Sequence, residues 1–74
     1  MPLAMVEGDV LSYLDEHGPA TLQQLVRIMH WSAPMVTMGV GALIRSALAD
    51  GAQRGSEIIV RARPERWRAE RRTA

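Results

Sequence analysis

The apolar positions of this 74-residue chain follow a helical spacing over its first two thirds and an alternating one after that. Leu3, Val6, Val10, Tyr13 and Leu14 share one helical face, while Gly8, Asp9, Ser12, Asp15 and Glu16 look the other way. This predicts a helix from about residue 3 to His17, stopped by Gly18-Pro19, a C′ glycine followed by a breaker. His17 lies in the last turn, where the helix dipole suits a partial positive charge. Thr21 and Gln24 have the spacing of a capping box and open a second helix, Leu22 to Met29. Its inward stripe is Leu22, Leu25, Val26 and Met29, which leaves Gln23, Gln24 and Arg27 outside. His30-Trp31 fill the next turn, with Trp31 read as core and its indole N–H near the surface.

The third helix organises the rest. Val36, Val40, Leu43 and Ala47 recur at spacings of four, three and four, and the opposite side carries Pro34, Met38, Gly41 and Arg45, with Thr37 at its edge. Ser32 is a good N-cap, and Pro34 falls in the first turn, where a missing N–H costs nothing. Two helices across a turn of about three residues form a helix-turn-helix pattern, with Ser32–Ser46 as the recognition-type helix. Beyond it, Leu48–Ala52 reads as a short strand, Gln53-Arg54-Gly55 as a turn and Ser56–Arg63 as a second strand. In that strand Ile58, Val60 and Ala62 alternate with Glu57, Ile59, Arg61 and Arg63, and Ile59 among the polar positions hints at a second buried surface. Pro64 ends the strand, and Glu65–Arg72 could make two Arg-rich helical turns around Trp67. The fold class expected is therefore α+β: three helices, a two-stranded β-wing and a basic C-terminal tail. Residues 1–63 form the domain and 64–74 the tail.

Charge sharpens this picture. The net charge is only +1, but residues 1–53 hold two arginines against five acids and residues 54–74 hold seven against three glutamates. A basic end on a mildly acidic body points to a polyanion contact made mainly from that end. With no cysteine, disulfides, thiolate metal sites and cysteine nucleophiles drop out together, and His17 and His30 alone are too few for a self-contained metal site. No cofactor is expected. An enzyme is not expected either, because no nucleophile–base pair, clustered carboxylates or phosphate-cradling glycine loop can be assembled. No stretch approaches the 18 or so apolar residues of a membrane span, and the N-terminus lacks a basic leader before an apolar run. A cytoplasmic protein with no membrane partner is the expectation. A core this thin makes a homodimer reasonable, and Met35, Met38, Ile59 and Trp67 have no evident partner in one copy.

The run Thr21-Leu-Gln-Gln-Leu-Val, then Trp31-Ser-Ala-Pro-Met-Val-Thr, Val40 and Leu43-Ile-Arg-Ser-Ala-Leu48, resembles bacterial winged helix-turn-helix regulators. Val36-Thr37, Val40, Leu43 and Leu48 look like the spacing of MarR-type DNA-binding domains, over roughly residues 5 to 63. The resemblance implies a small regulator of transcription bound to double-stranded DNA, with residues 32–46 in the major groove. It further implies Ser32 and Thr37 on phosphates or base edges and Arg54 at the wing tip on phosphate or the minor groove. The full candidate surface is Gln23, Arg27, Ser32, Pro34, Thr37, Met38, Gly41, Arg45, Arg54, Arg61, Arg63, Arg66 and Arg68. One departure stands out: base-reading helices usually offer Arg, Lys, Asn or Gln, and this one has Arg45 alone, near its far end. The alternative is a winged-helix protein-interaction module whose Met/Gly face on helix three meets another protein. Accessory proteins of that kind in ferrous-iron transport usually carry wing cysteines, which this chain lacks.

Overall fold

A computed structural model describes residues 2–63 and 65. The elements run α1 (Pro2–His17), β1 (Ala20–Thr21), α2 (Leu22–Ile28), α3 (Ala33–Arg45), β2 (Ala49–Arg54) and β3 (Glu57–Ala62). The end of α1 and the starts of α2 and α3 have local causes. Gly18, at φ 88°, ends α1 and donates its N–H to the Leu14 carbonyl at 2.8 Å. The capping box forms in full: the Gln24 N–H donates to Thr21 Oγ1 at 3.1 Å, and the Thr21 N–H donates to Gln24 Oε1 at 2.9 Å. Ser32 caps α3 by accepting the Met35 N–H at 3.3 Å, with Pro34 inside the first turn.

The C-terminal end of α3 differs from the simple stripe expected. Ala47 does not continue the helix but sits at φ 61°, the left-handed region that Gly usually fills. The Leu48 N–H bonds the Leu43 carbonyl at 2.9 Å and the Ala47 N–H the Ile44 carbonyl at 3.0 Å. That is a Schellman closure with alanine at C′, and it turns the chain from α3 into β2.

One core joins all the layers. α1 contributes Val6, Val10, Leu11 and Leu14, α2 Leu25, α3 Val36, Val40 and Leu43, and the sheet Ala20, Ala49, Val60 and Ala62. Leu11, absent from the expected stripe, widens the buried face of α1. α1 passes close to α3 at Gly39, where an added Cβ would lie 2.8 Å from Val6 Cγ1. Trp31 is half-buried against this core, and its indole N–H donates to Asp9 Oδ2 at 2.9 Å. The turn between α2 and α3 is thereby tied to α1. Met35 also packs against the core, so it does not call for a second copy.

The sheet is antiparallel, in the order β1-β3-β2, one strand more than the expected two-stranded wing. Ala20 pairs with Val60 and Thr21 with Ile59, so the residues leading into the α2 cap also bind the edge of β3. Strand β2 runs on to Arg54 instead of stopping at Ala52, and the turn is Gly55-Ser56, not residues 53–55. Gly55, at φ 60°, takes the first position of this two-residue hairpin loop, where a positive φ matches the strand twist. The alternation of β3 holds, but Val60 and Ala62 are buried while Ile58 is 40% exposed. Ile58 lies near the hairpin tip, where the core gives out. Ile59 is half-buried on the other face of the sheet, opposite Thr21 and Ala52. Of the predicted tail helix, Pro64 and residues 66–74, Trp67 included, lie outside the described residues.

Candidate nucleic-acid interface

The candidate interface lies on α2 and α3. The capping box aims the first turn of α2 so that Gln23 and Arg27 stay exposed while Leu25 is buried. Val36, Val40 and Leu43 pin α3 to the core, which fixes its other side outward. Ala33, Pro34, Thr37, Met38 and Arg45 are exposed there, and Gly41 is half-exposed between them. Gln23, Arg27 and Thr37 come together with Leu22 and Val26 around a shallow cleft of about 460 Å³. Ser32 is also exposed; its oxygen accepts the Met35 N–H, and its O–H is left to donate. Arg45 folds back over Gly41, with Nη1 3.6 Å from the place a Cβ would take. The cation therefore lies over the middle of the outward face instead of beyond the helix end.

The charge pattern around this surface is sharper than the halves of the chain suggested. Between Gly18 and Ala49 there is no aspartate or glutamate, and the two formal charges are Arg27 and Arg45. Neither makes an ion pair among the described residues. α1 is the opposite, with Glu7, Asp9, Asp15 and Glu16 and no arginine. This segregation by element is legible in the sequence.

The wing arginines are placed differently. Gly51 pairs with Val60, whose side chain is buried, and Ile44 of α3 covers Gly51 from that side, its Cδ1 2.9 Å from a hypothetical Cβ. Asp50 and its partner Arg61 therefore project from the sheet face turned away from α3. Arg61 Nη2 lies 3.0 Å from Asp50 Oδ2, and Arg63 lies 3.8 Å from Asp50 Oδ1 and 3.6 Å from Glu65 Oε1. Arg54, at the end of β2, is exposed and without an ion pair among the described residues. Arg66 and Arg68 lie outside the described residues. Among the described residues no group of three or more His, Asp or Glu side chains is arranged to hold a metal ion. No described helix is long and apolar enough to cross a membrane.

With this geometry in place, comparison with known proteins is informative about fold. No protein-family model matches the chain, and no curated protein matches it in sequence. The solved structure of an ArsR family transcriptional regulator does match in fold, at a TM-score of 0.67 and 19% identity. The superposition covers 97% of this chain and 84% of that one. The chain thus has the winged-helix fold, and this match leaves the MarR-type spacing of the helix-turn-helix unconfirmed.

Proposed function

We propose that this protein is a small winged-helix regulator that binds duplex DNA. The observation that carries the reading is the acid-free stretch from Gly18 to Ala49 that forms α2 and α3, with Gln23, Arg27 and Thr37 around one cleft and Arg45 laid over Gly41 of α3. The fold likeness to a transcriptional regulator supports it. In this reading α3 enters the major groove with Pro34, Thr37, Met38 and Gly41 toward the bases. Gln23 and Arg27 on α2, the Ser32 hydroxyl and Arg54 on the wing meet phosphates. The segment from residue 64 onward, with Arg66 and Arg68, supplies sequence-independent attraction. The protein works in the cytoplasm, as a two-fold dimer reading two half-sites.

The test is fluorescence anisotropy with a labelled duplex over a series of salt concentrations. Binding should weaken steeply with salt, by about 0.9 in the slope of log affinity against log salt for each phosphate contact. Deleting residues 65–74, which removes four arginines and two glutamates, should weaken binding to all sequences and flatten that slope. No binding even at low salt would overturn the reading. One observation favours a second reading, a protein-interaction module: Met38, at the centre of the outward face, is 56% exposed. A partner held there would bind with little dependence on salt.

A further inference from the structure

The outward face of α3 is short of hydrogen-bonding groups. Ala33, Pro34, Thr37, Met38 and Gly41 present methyl, ring and thioether surface, with the Thr37 hydroxyl as the single neutral donor. Arg45 is the one charged side chain of the helix. A helix of this composition cannot read bases mainly by hydrogen bonds. One base-pair feature in the major groove is apolar, the 5-methyl group of thymine. The charge fits a nucleic acid: Arg27 borders the cleft beside Thr37, Arg45 lies over Gly41, and the sequence from Gly18 to Ala49 holds no acid. We propose that α3 selects its DNA through thymine 5-methyl groups, seated on Met38 and Pro34 and on the Thr37 methyl, while Arg45 takes the polar contact beside them. This inference rests on the reading of α3 as the groove-entering helix.

Replacing thymine by uracil tests it directly, because uracil has the same hydrogen-bonding edge and lacks only the methyl. Duplexes are first selected from a random pool with the full-length protein, and an enriched duplex is then remade with uracil in one half-site. The enriched sequences should share thymines at fixed positions. Affinity should fall about fourfold for each contacted methyl removed, as expected from the transfer of one carbon out of water. Met38→Ala should shrink the thymine-over-uracil ratio towards one, with its thermal melt unchanged because the side chain is exposed. Arg45→Ala should weaken both duplexes and leave the ratio intact. Equal affinity for the thymine and uracil duplexes would overturn the inference while leaving DNA binding standing. Failure to bind any duplex at low salt would overturn both.

Discussion

The chain carries arginines in two structural settings, and they are not equivalent. Arg27 and Arg45 stand on a helix pair with no acid in its sequence, and neither is ion-paired among the described residues. Arg61 on β3 and Arg63 just beyond its end stand around the single carboxylate of Asp50, with Glu65 beside Arg63. By count, the C-terminal third is the basic part of the molecule. By pairing, part of that charge is already neutralised, and Arg61 points off the sheet face away from α3. Net charge along a sequence locates cations, whereas the potential offered to a polyanion depends on where the nearest anions fold.

The comparison depends on a shared platform, and the largest effect expected is its loss. Leu43 is fully buried between α3 and the rest of the core, so Leu43→Ala should cost about 2–5 kcal/mol. In a domain with a total stability on the order of 5 kcal/mol, cooperative thermal unfolding monitored by circular dichroism should disappear. Next comes Gly39→Ala, which drives a methyl into Val6 at the α1–α3 crossing and should lower stability by about 1–3 kcal/mol. A melt unchanged from wild type would mean that α1 and α3 are not held as closely as described.

The contrast itself is tested by single arginine changes. Arg27→Ala should reduce the salt slope of duplex binding by about 0.9, with a normal melt. Arg61→Ala should leave that slope nearly unchanged, since its charge already faces Asp50. Its effect on stability should be the smallest of the series, about 0–1 kcal/mol for an ion pair this exposed. If Arg61→Ala flattened the salt slope more than Arg27→Ala, the ranking of the two regions would be reversed.

Particular residues show how far the sequence reaches. The capping box of Thr21 and Gln24, the Ser32 cap with Pro34 behind it and the Gly18 stop all form where they were expected. Each depends on atoms only a few residues apart, so local chemistry decides it. The buried stripe of α3 was readable down to Leu43. It failed at Ala47, because alanine at C′ gives no signal of the left-handed turn that glycine would have announced. Strand β1 was invisible for a related reason: two residues hold no period, and Ala20-Thr21 are strand only because β3 lies beside them. In the candidate interface, Gln23, Arg27, Thr37 and Met38 were all identifiable as outward positions. That Gln23, Arg27 and Thr37 share one cleft, and that Arg45 lies back over Gly41, were not.

What the sequence by itself determined is the set of helices, their caps and the faces they bury, because side-chain periodicity and capping act within one or two turns. It also determined that the hairpin follows α3 and that the segment between Gly18 and Ala49 holds no acid. Tertiary structure alone decided the third strand, the close passage of α1 over Gly39 and the tie from Trp31 to Asp9, 22 positions apart. It decided as well which arginines meet a carboxylate. Charge pairing is a through-space property, and the pleat that turns Asp50 and Arg61 to the same side of the sheet is set by strand register, which no single strand contains.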